Sequence, residues 1–581
     1  MKVISTNEYK KIFTYDDHVS SILGYNKITE ENLYATLPDL GQNFTFDDWF
    51  NFMEPIDKAK EFKEILDTLD KKAPITVFGD YDCDGILATV ICCIGLSKLG
   101  FDKVQFIIPN RFNDGYGAKP QHAEQAYQNG SDTVVTVDNG ITCHDMINRA
   151  HQLKMKVLIT DHHNPDGENE GDIVVNPHYN SDNFKDISGA TVMFKVIYYL
   201  FKEYGINDSC IYDLAALAGI TAISDVMSMT GENRILYKAM ANYCNKQGSI
   251  EGSFINKLSE LIGFTRRGIE KGSRIPKDFN KTTIDFYLAP VINAMNRVLG
   301  DVSYLVEDII ELFYGESSAE PGYYAKINNE RKEMKKILLE SHVEDPLHNV
   351  AVEALKPPYG SNYGGIVGLV ASSIVEEEKK PAIVGIDYGS PSIKFSARSI
   401  PGYSLYNLLS RVKEEHPELG IKFGGHDEAL GCEVPRENLD KFRDILSESY
   451  DGSYVESESE YFDLDNTDRW SYAFKRLAPF GKDFKLPQFY KKGTVLFVDL
   501  QARGFKLKFT GNEFIKCFPT ADLDYLLFCC SKENPIEVEV VVELCYDENG
   551  EIGWKLVKIL NKKEEILKKV EEKRKYSGYG Y

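Results

Sequence analysis

The sequence predicts an α/β protein of several units: a parallel-sheet domain, a smaller α/β domain joined to it by helices, and a β-rich C-terminal unit. Three observations predict this. At 581 residues the chain is too long for one hydrophobic core. Short apolar runs alternate with helical stretches from about residue 74 and again over 348–448, as strands of a covered parallel sheet do. Beyond residue 476 the pattern changes to period two, as in Phe505-Lys506-Leu507-Lys508-Phe509 and residues 536–540, where Glu537 and Glu539 alternate with apolar residues.

Taken in order, residues 1–70 read as mixed, mostly helical structure whose Trp49, Phe50, Phe52 and Met53 pack on the next domain. Residues 71–235 form the first α/β domain. Its strands are Ile75 to Phe78, Val104 to Ile108, Thr133 to Val137, Val157 to Thr160 and Ile173 to Val175. An apolar helix from Ile86 to Leu99 follows the first strand and stops at Gly100. Residues 236–345 read as a helical connector ending in the charged helix 327–342, and 346–450 as the second α/β unit. Residues 451–475, acidic and Ser-containing, read as a linker. Residues 476–562 read as a small β-barrel or sandwich, and 563–581 as a charged, partly helical tail.

Composition narrows the function. No apolar run approaches the roughly 18 residues a membrane helix needs, and the N-terminus lacks a signal peptide's apolar stretch, so a cytoplasmic, membrane-free protein is expected. The chain has 11 cysteines and no Cys-x-x-Cys pair, which points to free thiols in a reducing compartment and no zinc ribbon. A net charge of −22 excludes a protein that coats nucleic acid through a broad basic surface. It leaves room for a nuclease whose cations are confined to a groove.

The acids stand at strand ends. The first strand runs into Gly79-Asp80-Tyr81-Asp82-Cys83-Asp84-Gly85, the third into Asp138-Asn139-Gly140, and the fourth into Asp161-His162-His163. A later apolar helix ends at Asp225. Open parallel sheets bind ligands at the carboxyl ends of their strands, so these groups should meet. Crowded carboxylates require a cation, and oxygen ligands with imidazole suit Mn²⁺, with Mg²⁺ as the alternative. Taken singly, each motif also fits an ordinary turn, a calcium loop or surface histidines. A calcium loop would need Glu at its twelfth position, where this chain has Ile91.

Together these motifs resemble the DHH phosphoesterase superfamily, and within it the RecJ-like exonucleases. The resemblance rests on Phe78 to Gly85, Arg111-Phe112-Asn113-Asp114-Gly115-Tyr116-Gly117, Asp161-His162-His163, Ser188-Gly189-Ala190 and Asn293-Ala294-Met295-Asn296-Arg297. The second α/β unit resembles the DHHA1 domain at Gly368 to Ser372, Phe395 to Ser399 and Phe423-Gly424-Gly425-His426. Three places depart from the usual pattern: Asn296 and Ala397 each stand before an Arg where Gly is commoner, and Asp427-Glu428 follow His426 where small residues are usual. Leu477-Ala478-Pro479-Phe480-Gly481 and the strands after it resemble an OB domain.

The resemblance implies a 5′→3′ exonuclease acting on single-stranded DNA in repair, recombination or replication. It implies Asp82, Asp84, Asp138, His162 and Asp225 as ligands of two Mn²⁺ ions, with Asp138 bridging and Asp80 a further ligand or water orienter. His163 would stabilise charge on the scissile phosphate. Arg111, Arg297, Ser396 and Arg398 would hold DNA phosphates, and Gly424, Gly425 and His426 would offer backbone N–H groups and an imidazole. The expected partners are single-stranded DNA and replication or repair proteins, with a monomeric chain. The competing readings are a DHH oligoribonuclease or cyclic-dinucleotide phosphodiesterase, and a decayed scaffold. The latter is disfavoured because every ligand position is filled.

Overall fold

The computed structural model describes residues 2–4, 16–29, 31–39, 44–263, 279–316, 319–320, 322–357, 363–450, 460–464, 467–501, 504–510, 514–517, 530, 535–546 and 552–560. Strand β1 (Lys2–Ile4) belongs to a C-terminal sheet described below. Strands β2 (Ile75–Phe78), β3 (Val104–Ile107), β4 (Thr133–Val137), β5 (Lys156–Thr160) and β6 (Ile173–Val175) form an all-parallel sheet in the order β3-β2-β4-β5-β6. Each expected strand is found, displaced at most by one residue at an end.

Helix Cys83–Lys98 starts earlier than its apolar pattern. The Asp82 carboxylate accepts the backbone N–H groups of Asp84 and Gly85, at 3.0 and 3.1 Å, and caps the helix there. The helix is buried on nearly every face because helices Gly189–Glu203 and Cys210–Ser224 pack against it. A helix apolar all round is an interior helix, and this one forms the centre of the largest core.

Helix Tyr323–Glu340 leads to the second sheet, made of β7 (Ala351–Leu355), β8 (Ala382–Ile386), β9 (Ser392–Arg398), β10 (Lys422–Gly425) and β11 (Ala429–Pro435). The order is β10-β11-β9-β8-β7; only the β7–β8 pair is parallel.

The third sheet joins the two ends of the chain. It contains β1, β12 (Glu460–Asp463), β13 (Phe489–Gln501), β14 (Gly504–Phe509), β15 (Phe514–Cys517), β16 (Ile536–Tyr546) and β17 (Ile552–Ile559). The order is β1-β12-β13-β14-β15-β17-β16, and β13 pairs with β16 as well.

Two sequence expectations are corrected here. Residues 1–70 are not one unit. Val19, Ile22, Leu23, Ile28 and Leu37 pack in the C-terminal core, whereas Phe46, Trp49 and Phe62 pack in the core of the parallel-sheet domain. Residues 451–475 are not a linker where they are described. Residues 460–463 are strand β12, and Thr467–Leu477 is a helix whose Trp470 is buried between His18 and Phe489, at ring distances of 4.5 and 4.7 Å. The acidic composition misled because the apolar residues Tyr461, Phe462, Trp470 and Phe474, which carry the packing, are few. The tail 563–581 and the side chain of Phe505 lie outside the described residues.

Trp470→Ala should therefore destabilise the chain by about 3–5 kcal/mol, as large-to-small changes at fully buried aromatic positions do. Urea unfolding followed by fluorescence measures this. A loss below about 1 kcal/mol, the size of a surface change, would show that this helix does not hold the C-terminal core together.

Candidate functional site

From β2 the chain passes to β3 on one side and later to β4 on the other, so the strand order reverses between β2 and β4. Ligands bind in the crevice at such a reversal. Asp80 lies two residues past β2, Asp138 directly past β4, and Asp161-His162-His163 directly past β5.

The carboxylates and imidazoles meet there in three overlapping groups: Asp80 with Asp82 and Asp138, Asp84 with His162 and Asp225, and Asp138 with His162 and His163. Within each group the candidate ligand atoms lie within 4.8 Å of one another. His162 Nε2 stands 3.2 Å from Asp138 Oδ1, 3.6 Å from Asp225 Oδ2 and 3.7 Å from Asp84 Oδ2. One carboxylate oxygen each of Asp80 and Asp138 is buried without a hydrogen-bond partner. Burial, and then the neighbouring carboxylates, push the carboxyls of both well above their ordinary range. Burial pushes the His162 imidazole down, toward the neutral form a metal ligand needs. Buried acids with orphaned oxygens beside a neutral imidazole fit hard divalent cations such as Mn²⁺ or Mg²⁺.

The surrounding backbone explains how the acids are held. Asp138 adopts a left-handed conformation, with φ 58°. Asp84 accepts the N–H groups of Gly189 and Ala190 at 2.6 and 3.0 Å, so the N-terminus of helix Gly189–Glu203 faces a carboxylate. A Cβ on Gly189 would lie 2.5 Å from Asp138 Oδ1, and one on Gly85 would lie 2.6 Å from the Asp80 backbone. Only glycine allows either approach.

Several residues that shape the site escaped the sequence reading. Asp161 is an organiser. Its Oδ1 accepts the N–H groups of His162 and His163, at 2.7 and 3.1 Å, and faces His163 Nδ1 at 2.8 Å; its Oδ2 accepts Ile141 N–H at 3.0 Å. Burial opposes ionisation of Asp161, yet these contacts and the two imidazoles bring its carboxyl below the ordinary value. Burial alone would depress His163, but the Asp161 contact and nearby acids raise it to about 9. The Tyr116 hydroxyl stands 3.1 Å from His163 Nε2. Asn293 Oδ1 accepts Cys83 N–H at 2.9 Å, and Asn296 Nδ2 donates to the Tyr81 carbonyl at 2.8 Å, so helix Ala289–Val298 grips the loop 80–84. These positions fall inside the quoted motifs, which was the available signal.

A second feature lies between the lobes. Arg111 sits over the Tyr81 ring, 5.2 Å from its centroid, and donates to Asn296 Oδ1 at 3.2 Å. Burial, and then the charges of Arg111, Arg331 and Arg398, push Arg297 down to about 9. Arg398 Nη1 donates to Ser396 Oγ at 3.1 Å. Among the described ion pairs, none joins Arg111, Arg297, Arg331 or Arg398 to a carboxylate. Unpaired guanidinium groups gathered in a chain of net charge −22 make a candidate anion site. Arg331 is its unforeseen member, carried by helix Tyr323–Glu340, which the sequence reading treated only as a connector.

Ser396, Gly431 and Gly424 lie side by side across β9, β11 and β10. Gly424, Gly425 and His426 are exposed on the edge strand and the turn after it. Their expected role as a set of free N–H donors is reduced, since His426 N–H already donates to the Ala429 carbonyl at 2.9 Å.

Sequence models of two families match the chain: the DHH family, N-terminal domain, over residues 74–220, and the DHHA1 domain over residues 349–450. The chain is similar to the single-stranded-DNA-specific exonuclease RecJ of Salmonella typhimurium, 30% identical over 416 residues covering 68% of each chain. Its fold is similar to RecJ in complex with Mn²⁺ from Thermus thermophilus, with TM-score 0.72 and 22% identity over 97% of this chain and 79% of that one. It is also similar to an exonuclease RecJ bound to manganese, with TM-score 0.55 and 27% identity over 68% of this chain and 94% of that one. Among the described residues, no helix is long and apolar enough to cross a membrane.

Gly189→Ala tests the close approach of helix to acid. Overpacking at this contact should cost about 1–3 kcal/mol in urea unfolding. It should also weaken Mn²⁺ binding, read by the electron paramagnetic resonance signal of free Mn²⁺. Unchanged stability and unchanged binding would show that Asp138 does not need the glycine.

Proposed function

The chain belongs to the RecJ branch of the DHH family, and from that premise we propose that it is a divalent-metal-dependent exonuclease degrading single-stranded DNA from the 5′ end. The observation that carries this reading is the gathering of Asp80, Asp82, Asp84, Asp138, His162 and Asp225, with buried oxygens on Asp80 and Asp138 that lack a hydrogen-bond partner, a donor set that fits two cations. The manganese-bound relative supports Mn²⁺ as the ion. Divalent cations held there supply Lewis-acid activation of a water and of the phosphoryl oxygens. His163, fixed by Asp161 and held as an imidazolium, would donate a hydrogen bond to a phosphoryl oxygen and stabilise the charge that develops on it.

Polarity follows from the arginines. A terminal 5′ phosphate carries more charge than an internal diester. Unpaired Arg111, Arg297 and Arg398, with Ser396, would retain it preferentially, because a guanidinium fork matches phosphate geometry. Single-strand preference would arise from the shape of the cleft and from phosphate contacts rather than base readout.

We read the C-terminal sheet as OB-like. The pairing order β13-β14-β15-β17-β16 returns to β13, the sequence of contacts of a five-stranded OB unit. Such units bind single strands, so this favours a polymer over the dinucleotide substrate of an oligoribonuclease-type relative. The division into a catalytic domain 71–235, a DHHA1 domain 346–450 and an OB-like domain 476–562 belongs to the same reading, as do cytoplasmic localisation and a role in DNA maintenance.

The test uses single-stranded DNA labelled at either end, with Mn²⁺ titrated. Wild type should release mononucleotides from the 5′ end, and EDTA should stop it. Asp138→Ala should lose at least about 100-fold of its rate, the size of effect typical for loss of a key electrostatic group, while its unfolding curve still shows a folded chain. Cleavage by Asp138→Ala at the wild-type rate would overturn the metal reading. Digestion from the 3′ end would overturn the polarity.

Arg398→Ala should abolish any preference for 5′-phosphorylated over 5′-hydroxyl strands without changing the Mn²⁺ requirement. A retained preference would remove Arg398 from the end-recognition site.

A further inference from the structure

The last ligand candidate, Asp225, stands where helix Cys210–Ser224 ends. The residue after it, Val226, is in the left-handed region at φ 54° and is 64% exposed. A β-branched residue in that conformation is strained, and such strain persists only where the surroundings impose it. The loop after Asp225 is therefore held from outside, and the contacts show by what.

Ser228 N–H donates to Asp186 Oδ2 at 2.6 Å. The other oxygen of that carboxylate accepts from Lys482 Nζ at 2.8 Å. Ser228 and Lys482 also form an isolated parallel backbone bridge, and Met229 N–H donates to the Lys482 carbonyl at 2.9 Å. A Cβ on Gly481 would lie 2.6 Å from Met229 Cγ, so the two chain segments are in close contact. Lys482 belongs to the segment that precedes the C-terminal strands, more than 250 residues from Asp225 in sequence.

That segment is itself anchored by a buried cation. Arg234 has no exposed surface. Its Nη1 donates to the Pro479 carbonyl at 2.7 Å and its Nη2 to those of Leu477 and Ala478 at 2.6 and 3.1 Å. Its Nε pairs with the buried Asp39 at 2.6 Å, and its guanidinium lies 5.2 Å from the Phe484 ring centroid. Carbonyls from three successive residues and a carboxylate surround one guanidinium, and a buried charge so completely partnered fixes its partners in place.

We infer that the segment Leu477–Phe484 is part of the catalytic unit rather than the entrance to a separable C-terminal domain, and that Lys482 is a positioning residue for Asp225, acting through Asp186 and Ser228. This rests on the reading of Asp225 as a metal ligand. It qualifies the division given above, in which 476–562 stands as a unit separate from a catalytic domain whose ligand candidates all precede residue 226.

The experiment is Mn²⁺ binding to the full-length chain, read by the electron paramagnetic resonance signal of free Mn²⁺, in Lys482→Met, Lys482→Arg and Asp186→Asn. Outer partners of metal ligands typically change affinity 10–100-fold, so Lys482→Met and Asp186→Asn should each weaken binding of an ion by about 10-fold or more. Their double variant should lose no more than the single ones, because the two residues act in one chain of contacts. Lys482→Arg should recover most of the affinity. Thermal unfolding at zero Mn²⁺ identifies a variant that fails to fold; the exposed Lys482 head group should leave it near wild type. Wild-type Mn²⁺ affinity in folded Lys482→Met, with affinity lost in Asp84→Asn, would overturn the positioning role alone. Wild-type affinity in both would overturn the metal reading beneath it.

Discussion

Like charges in a low-dielectric pocket repel, and the structure around residues 80–84, 138 and 225 is organised to keep carboxylates together despite that. At about 4 Å two unit charges interact with roughly 4 kcal/mol at an effective dielectric constant near 20. Several such pairs exceed what a single hydrogen bond can offset. Some relief comes from the fold itself: the Asp82 cap on helix Cys83–Lys98, and the N-terminus of helix Gly189–Glu203 aimed at Asp84. Those contacts leave one oxygen each of Asp80 and Asp138 without a hydrogen-bond partner, which is the place for divalent cations. The glycines at 85 and 189, the left-handed Asp138 and the Asp161 organiser all follow from the need to hold acids within one small crevice.

Much of this was legible in the sequence, for a physical reason. A parallel sheet buried on both faces requires short continuous apolar runs. A site at its carboxyl edge requires polar residues directly after them. Both demands act locally, so strands β2, β4 and β5 and their acids could be read together. What depends on contacts distant in sequence could not be read. Trp49 and Val19 lie 30 residues apart yet belong to different cores. No periodicity distinguishes Arg331 from the other charged residues of its helix, although its charge acts on Arg297 together with those of Arg111 and Arg398. Nothing near Arg234 in sequence announces that three carbonyls from 477–479 close around it.

Those distant contacts change how the molecule is divided. The C-terminal sheet takes strand β1 from the start of the chain and sends Lys482 back to the loop beside Asp225. The two α/β lobes meet at arginines supplied by both of them and by helix Tyr323–Glu340. The proposed centre for cutting and the proposed site for holding a strand end are therefore assembled from residues 80 to 482. An enzyme that cuts only at a strand end needs such an arrangement, because the distance from metal to end-binding group sets the length of the product.

Calorimetric titration of Mn²⁺ into chelator-stripped, full-length protein tests the central claim most directly, because it asks only whether the buried acids exist to hold cations. The account predicts two ions bound per chain and an unfolding temperature that rises with Mn²⁺. Absence of binding, or saturation with no gain in unfolding temperature, would contradict it.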